Sequence, residues 1–373
     1  MKVLVTGGGT GGHLYPALSV MKALHESGED HQLCYLGTGD GLEADVIPDY
    51  DWIDFKKIKL KGLSRSSPYR FFKGLALLPI GIFQTLLVML KFNPDLVYGT
   101  GGYTTFPPAF WGILTRTPVA THELNVKPGV TNRLLARFVD KTLLSYPDTA
   151  DYLPTDNSEV TGTPVREEIR KAEGAAKPED FGLQPDFPII LVFGGSLGSR
   201  ILVEKVLNEF KEANNKEELP FQFLVQTGRE GYSRFEGAVK NLSTRKIRLV
   251  DYIEEMGSVY GFSDFVISRG GAGTMAELIA TRTPALIVPW SNAAENHQYF
   301  NAKLLEKKGG GITVEEDEWT DFPLMDELRA TFASEKRLKN MRDSYLDFKG
   351  DGGAGSVIEE LKKLGREESN VTD

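Results

Sequence analysis

Three glycine-rich segments, residues 7–12, 194–198 and 269–277, have the spacing best suited to chemistry in this sequence. The first two each follow a short apolar run and precede a helix-like segment. Glycines at such a turn let backbone N–H groups approach an anion at the N-terminus of the next helix, where the helix dipole favours negative charge. Two loops of this kind predict a binding site for a diphosphate.

The third segment leaves two interpretations open for Thr274 and Glu277. Their spacing is that of a capping box, in which they would only close a helix N-terminus. Alternatively, that helix end binds a phosphate and the Glu277 carboxylate accepts hydrogen bonds from ribose hydroxyls.

The first loop also satisfies the pattern G-x-G-x-x-G through Gly7, Gly9 and Gly12, which is typical of nicotinamide dinucleotide sites. Those sites usually have an acidic residue at the end of the second strand. Here Leu36 is followed by Gly-Thr-Gly at residues 37–39, so a dehydrogenase is disfavoured. The P-loop pattern G-x-x-x-x-G-K-[ST] does not occur, so ATP hydrolysis of that type has no support.

The sequence predicts no metal site and no cofactor. Its D-x-D pattern, Asp49 to Asp51, lies in a loop-like stretch, and the five histidines show no paired ligand spacing. The single cysteine, Cys34, lies in a strand pattern and is expected in the core. Because it can form no intramolecular disulfide and no signal-peptide core is present, we expect a cytoplasmic protein.

Short runs rich in Val, Ile and Leu alternate with helical patterns and must position these loops, as in a parallel sheet. The predicted strands form two series: residues 2–6, 33–36, 96–98, 119–121 and 141–144, then 189–193, 222–226, 247–250, 264–268 and 285–288. We predict an α/β protein with two Rossmann-like, doubly wound domains of residues 1–165 and 166–345. Ligands bind beyond the carboxyl ends of such strands, so we expect the glycine loops to face each other across a cleft.

The net charge of −9, from 43 Lys and Arg against 52 Asp and Glu, argues against a partner nucleic acid. Residues 55–94 depart from this balance, with no acidic side chain and eight basic ones. An apolar run at residues 75–90 lies within this basic region. Together they predict docking on an anionic membrane surface, with candidate contacts at Leu77, Leu78, Ile80, Ile82, Phe83 and Lys73.

The apolar run is expected to lie on the membrane and not to cross it. Pro79, Gly81 and Gln84 interrupt it, and it falls short of the roughly 20 residues that a spanning helix needs. Residues 85–90 are expected to be buried against the sheet.

Several short motifs occur in one order along the chain: residues 8–13 (GGTGGH) with 16–18 (PAL), 101–103 (GGY), 122–125 (HELN), 162–166 (GTPVR), 194–198 (GGSLG) and 297–298 (HQ). Together they resemble the MurG family, and the resemblance covers roughly residues 1–361. It implies the GT-B fold, with the nucleotide donor mostly in the C-terminal domain and the lipid acceptor against the N-terminal domain. It also implies that residues 346–373 contain a helix returning toward the first domain.

MurG enzymes transfer N-acetylglucosamine from UDP-N-acetylglucosamine (UDP-GlcNAc) to lipid I, undecaprenyl-pyrophosphoryl-MurNAc-pentapeptide, which forms lipid II for peptidoglycan. The resemblance therefore implies these two substrates and a peripheral location at the cytoplasmic face of the bacterial inner membrane. The alternative that stays open is a GT-B glycosyltransferase that uses another lipid or small-molecule acceptor.

Matched by position, the resemblance implies that UDP-GlcNAc contacts Thr10, Gly11, Gly12, Asn125, Arg166, Ser196, Ile253, Ala272, Gly273, Thr274, Met275, Ala276, Glu277 and Gln298. Ser196 would donate to the diphosphate, Ile253 would offer its backbone to uracil, and Gln298 would bind sugar hydroxyls. Leu124 replaces a glutamine usual in the family and Thr163 replaces a common asparagine, which bears on sugar or acceptor preference.

The family inverts the anomeric centre, so a base must take the proton of the acceptor hydroxyl. His13 is the first candidate because imidazole titrates near neutral pH and this residue follows the first glycine loop. Glu123 is the second candidate, and the choice between them stays open. Arg166 or helix dipoles would neutralise the departing UDP.

Overall fold

The computed structural model describes residues 1–62, 68–195, 198–214, 219–240, 242, 244, 246–348 and 353–369. The chain forms two compact units, which are Met1–Arg166 together with the C-terminal helix, and Glu167–Phe348. Each unit is built on one parallel sheet. We call them unit 1 and unit 2.

Unit 1 contains, in chain order, β1 (Lys2–Thr6), α1 (Gly11–His25), β2 (Gln32–Thr38), α2 (Glu43–Val46), β3 (Ile53–Ile58), α3 (Pro68–Phe92), β4 (Leu96–Gly99), α4 (Phe106–Thr115), β5 (Val119–Glu123), α5 (Val130–Leu135), β6 (Lys141–Leu144) and β7 (Ser158–Val160). Its strands are parallel and lie in the order β3-β2-β1-β4-β5-β6-β7. The chain reverses its direction of winding between β1 and β4, which is the switch point where doubly wound sheets bind ligands.

Unit 2 repeats this plan with α6 (Glu167–Arg170), β8 (Ile189–Phe193), α7 (Arg200–Asn214), β9 (Gln222–Gln226), α8 (Arg229–Lys240), β10 (Ile247–Val250), α9 (Met256–Phe262), β11 (Phe265–Ser268), α10 (Ala272–Thr281), β12 (Ala285–Ile287), α11 (His297–Lys308), β13 (Gly311–Thr313), α12 (Leu324–Phe332) and α13 (Glu335–Ser344). Its parallel strands lie in the order β10-β9-β8-β11-β12-β13. Its switch point lies between β8 and β11. The prediction of two doubly wound parallel sheets is therefore confirmed.

The central strands are apolar throughout because helices cover both faces of each sheet. In β8, for example, all five residues are buried. Unit 1 has a large core cluster on each face of its sheet, the first with α1 and the second with α3, α4 and α5. These rigid layers fix where the loops at the carboxyl ends of the strands begin.

Helix α3 corrects two predictions about the apolar run. Pro79 and Gly81 do not interrupt it, because the helix is continuous for 25 residues and Phe71–Phe92 is long and apolar enough to cross a membrane. Residues 85–90 are only partly buried, since Leu87 and Leu90 are exposed. The inner face of α3, with Met89, packs on the core of unit 1. One face of α3 is therefore buried against the core and the opposite face is exposed, although both faces are apolar.

The last helix, α14 (Gly355–Ser369), belongs to unit 1. Val357 and Leu361 are fully buried in the same core cluster as α1. Lys362 Nζ also lies 2.6 Å from a carboxylate oxygen of Glu29. The polypeptide therefore leaves unit 1 after Arg166, builds unit 2, and returns.

Candidate functional site

Two glycine loops meet at the switch point of unit 1, one after β1 and one after β4. They pack backbone to backbone, because a Cβ on Gly102 would lie 2.7 Å from the carbonyl oxygen of Gly8. Gly9 and Thr10 are exposed, and within the described chain no side chain caps the start of α1. The N–H groups of Gly11 and Gly12 lie in the first turn of α1, where backbone donors have no partner inside the helix. This arrangement suits an anion.

The imidazole of His13 is held in one tautomer. Its Nδ1 lies 2.8 Å from the carbonyl oxygen of Thr100, which can only accept, so Nδ1 carries the proton. The Thr100 hydroxyl in turn donates to the His13 carbonyl at 2.8 Å. In the neutral form of this half-buried ring, Nε2 is therefore the nitrogen that can accept a proton, beside the glycine loops.

Glu123, at the end of β5, forms hydrogen bonds with the loop that follows this strand and with α5. Oε1 accepts from the backbone N–H and the side-chain amide of Asn125, at 3.0 and 3.1 Å. Oε2 accepts from the Gly129 N–H at 3.0 Å and from Asn132 Nδ2 at 2.9 Å. With four N–H donors on a carboxyl group that is 2% exposed, Glu123 anchors the loop that follows β5.

His122 lies in a buried polar cluster. Its Nδ1 is 2.9 Å from the Tyr98 hydroxyl and its Nε2 is 3.5 Å from the Ser145 hydroxyl, which also bonds Thr163. Burial lowers the pKa of His122 to about 3. The imidazole is therefore neutral at physiological pH, and its hydrogen bonds connect β5 to Tyr98 on β4 and to Ser145.

Two of the candidate donor contacts in unit 1 have defined neighbours. Arg166 places its guanidinium 4.9 Å from the ring centre of Tyr15 on α1, a cation–π geometry. Asn125 is buried and donates its amide to Glu123. The side chains of Asn125 and Arg166 are thus both ordered by unit 1.

At the switch point of unit 2, α10 begins at Ala272 with Gly271 as its N-cap and without a side-chain cap among the described residues. The capping-box interpretation of Thr274 is therefore wrong, because Thr274 lies inside the first turn. The N–H groups of residues 272–274 begin this ten-residue helix and have no partner within it. Glu277 is half-buried in the next turn, and its Oε2 accepts from the Tyr260 hydroxyl at 3.1 Å.

Gln226, at the end of β9, is a residue that no motif indicated. Its Nε2 donates to the carbonyl of Gly195 at 3.1 Å, and its Oε1 accepts from the N–H of Ile253 at 3.0 Å. It thus joins the glycine loop after β8 to the loop after β10. Because its N–H is already bonded, Ile253 could offer uracil only its carbonyl oxygen.

The other sequence-derived candidates are placed as follows. Met275 and Ala276 are buried in α10 and can contribute only backbone or packing. Gln298 accepts from the Trp290 N–H at 2.9 Å through Oε1, so its NH₂ group is the part that could donate to a ligand. Ser196 lies outside the described residues. Across the described part of the chain, no group of three or more His, Cys, Asp and Glu side chains could hold a metal ion.

The candidate membrane contacts on α3 divide into two groups. Lys73, Ile80 and Phe83 are exposed, whereas Leu77, Leu78 and Ile82 are half-buried. The same outer face also exposes large apolar side chains that the prediction omitted, namely Phe72, Leu75, Leu87 and Leu90.

Comparison with known proteins adds family relationships. The glycosyltransferase family 28 N-terminal domain matches residues 3–144 and the glycosyltransferase family 28 C-terminal domain matches residues 189–358. A UDP-N-acetylglucosamine–N-acetylmuramyl-(pentapeptide) pyrophosphoryl-undecaprenol N-acetylglucosamine transferase from Desulforamulus reducens is 36% identical over 98% of this chain and 99% of its own. The protein of that name from Finegoldia magna is 32% identical over 98% of both chains. The crystal structure of Acinetobacter baumannii MurG has a TM-score of 0.74 at 25% identity, covering 97% of this chain and 99% of that one.

Two doubly wound sheets with glycine loops at their switch points, together with both family 28 domains, define a glycosyltransferase of the GT-B class. The resemblance inferred from the motifs is confirmed. By full-length identity above 30% to its relatives, the chain belongs to the MurG family of N-acetylglucosaminyltransferases.

Proposed function

We propose that this chain transfers N-acetylglucosamine from UDP-GlcNAc to lipid I with inversion, forming lipid II. The relatives that match almost the whole chain carry this activity in their names. The observation in the chain itself that carries the proposal is the tautomer of His13, whose Nε2 is a proton acceptor beside a glycine-rich anion site.

The donor is proposed to bind mainly at the switch point of unit 2. There the N-terminus of α10 would bind a phosphate, and Glu277, oriented by Tyr260, would accept hydrogen bonds from the ribose hydroxyls. The NH₂ group of Gln298 would bind a sugar hydroxyl. The other donor contacts that the family resemblance implies, among them Thr10, Gly11, Gly12, Asn125, Arg166 and Ser196, are part of the same proposal.

The chemical step is a single displacement. His13 Nε2 would take the proton of the acceptor hydroxyl while its oxygen forms a bond to the anomeric carbon, and the bond to UDP breaks with its electron pair leaving on the phosphate. Positive helix ends and the Arg166 guanidinium would stabilise the departing charge. We prefer His13 to Glu123 as the base because both Glu123 oxygens already accept two N–H donors each.

We further propose that the outer face of α3 binds an anionic membrane surface, where a lipid acceptor resides. It presents Phe72, Leu75, Phe83 and Leu87 beside exposed Lys73. Buried apolar side chains and nearby cations act together in such docking, each cation contributing about 1 kcal/mol. The inner face of α3 packs on the sheet, which favours a helix lying on the membrane over one that crosses it.

Neighbouring elements extend the same layer of unit 1. Helix α5 and the residues after it expose Leu134 and Phe138, with the exposed cation Arg137 between them. Not every lysine in the acid-free stretch is available, because Lys56 pairs with Asp54 at 2.6 Å and Lys61 pairs with Asp40 at 3.1 Å.

The test measures UDP release from UDP-GlcNAc with and without a lipid I analogue. His13→Ala should lower kcat by about 10²-fold or more with little change in UDP affinity, the loss expected when a general base is removed. Glu277→Ala should mainly raise the KM for UDP-GlcNAc.

His25→Ala, which alters an exposed histidine, is the control. Normal turnover of His13→Ala would contradict its role, and no acceptor-dependent UDP release by the wild type would contradict the function.

A further inference from the structure

One partly buried ion pair joins three loops of unit 2. Arg269, directly after β11, donates from Nη2 to Oε1 of Glu316 at 2.6 Å, and the two side chains are 11% and 12% exposed. Nη1 of the same arginine donates to the carbonyl oxygens of Val288, at 3.1 Å, and Pro289, at 3.4 Å. The pair thus connects the segments that follow β11, β12 and β13.

The second oxygen of Glu316 holds the loop after β12 directly. Oε2 accepts from the N–H of Ser291 at 3.0 Å and from the Ser291 hydroxyl. Burial disfavours the charged carboxylate, but hydrogen bonds from Ser291 and Arg269 outweigh burial and lower the pKa of Glu316 below its ordinary value. Glu316 is therefore a charged group with donors on both oxygens.

The loop held in this way leads to Gln298. The N–H of Trp290 donates to Gln298 Oε1 at 2.9 Å. Gly270 lies so close to Gln298 that a Cβ there would be 2.5 Å from the Gln298 carbonyl oxygen, and Asn301 Nδ2 donates to the Gly270 carbonyl at 3.0 Å. The glycine segment before α10 and the start of α11 are consequently coupled through short contacts.

The backbone entering α11 is also constrained. Glu295 and Asn296 have positive φ angles of 52° and 55°. Non-glycine residues persist in this left-handed region where the surrounding structure holds them there. Two of them in succession directly before His297 and Gln298 indicate that this turn is held in one conformation.

We propose that Glu316 is a positioning residue of the donor site, which fixes Gln298 relative to the N-terminus of α10 by holding Arg269 and Ser291. The inference rests on the proposed function, in which both of those elements bind UDP-GlcNAc. Glu316 acts through the loops, so its loss should weaken donor binding more than it slows the chemical step.

The experiment compares Glu316→Gln and Glu316→Ala with Glu318→Gln, a control that removes the same charge from an exposed side chain two positions away. Glutamine keeps an oxygen that can accept from Ser291 but loses the charge facing Arg269. The KM for UDP-GlcNAc should therefore rise about tenfold in Glu316→Gln and about a hundredfold in Glu316→Ala, with kcat changed by less than about threefold. The KM for the lipid I analogue and all constants of the control should stay at wild-type values.

Calorimetric titration with UDP-GlcNAc, without acceptor, gives the same comparison without turnover. A wild-type donor KM together with wild-type UDP-GlcNAc affinity in Glu316→Ala would overturn the inference. A fall in kcat with an unchanged donor KM in both Glu316 variants would also overturn it, because a smaller folded fraction has that effect. A wild-type protein that binds UDP-GlcNAc but transfers no sugar to the lipid I analogue would refute the proposed function instead, and the effect of Glu316 on UDP-GlcNAc affinity would still decide the inference.

Discussion

Acid should destabilise unit 1 through His122. Burial lowers the pKa of this imidazole from 6.5 to about 3 in the folded chain, and a weaker hydrogen bond with the Gly162 backbone acts in the opposite direction. The folded state thus binds fewer protons at this position than the unfolded state does, so protons favour unfolding. The stability is fully present above pH 6.5 and is lost as the pH falls from there toward 3.

The magnitude follows from the two pKa values. One pKa unit corresponds to about 1.4 kcal/mol, so His122 should lower the free energy of unfolding by about 2 kcal/mol between pH 7 and pH 5. By pH 3 the loss should reach about 4 to 5 kcal/mol. The folded imidazole is still almost wholly neutral at pH 5, so protonation of the unfolded state accounts for the difference at that pH.

The assay is urea unfolding followed by circular dichroism at pH 7 and pH 5. The wild type is compared with His122→Gln, which cannot titrate, and with His25→Gln, which alters an exposed histidine stacked on Trp52. The difference in free energy of unfolding between the two pH values should be about 2 kcal/mol smaller in His122→Gln than in the other two proteins. Equal pH dependence in all three would refute the reasoning.

Three further results are expected. Gly101→Ala should lower the free energy of unfolding by about 1 to 3 kcal/mol and slow enzymatic turnover, because φ at this position is +97° and the new Cβ would lie 3.2 Å from the His13 ring. Wild-type turnover would argue against this contact. Glu123→Gln should lower the free energy of unfolding by about 1 to 3 kcal/mol, because the new NH₂ group would face N–H donors where a carboxylate oxygen now accepts from them. A large loss of turnover at unchanged stability would instead favour Glu123 as the base. Phe83→Ser should lower the affinity for phosphatidylglycerol vesicles, measured by sedimentation, about tenfold relative to Leu346→Ser, which alters an equally exposed apolar side chain in unit 2. Equal affinity of the two variants would contradict docking through α3.

The buried strands could be predicted because both of their faces are covered, so their sequences are almost wholly apolar. Three of the four edge strands of the described sheets, β3, β7 and β13, were not predicted, because a strand with one neighbour needs few apolar residues. The fourth, β10, was predicted because three of its four residues are apolar. Helix α3 was misjudged at Gly81, where the missing side chain lets the segment at Leu60 approach and does not end the helix.

The candidate site was predictable where backbone geometry demands glycine, as in the loops after β1 and β4. Hydrogen-bond partners were not predictable, because residue type alone cannot show that Glu123 is saturated or that the N–H of Ile253 is already bonded. Gln226 and Glu316 belong to no short motif. Their bonds span loops that only the sheet order brings together.

The position of α14 has a consequence for biosynthesis. Val357 and Leu361 fill the core of the unit that is synthesised first, although they are synthesised after the whole of unit 2. Unit 2 is contiguous in sequence and can complete its fold earlier, while unit 1 retains an uncovered apolar groove until α14 has been made. A premature stop shortly before this helix would therefore release a chain whose N-terminal half is unfinished and prone to aggregate.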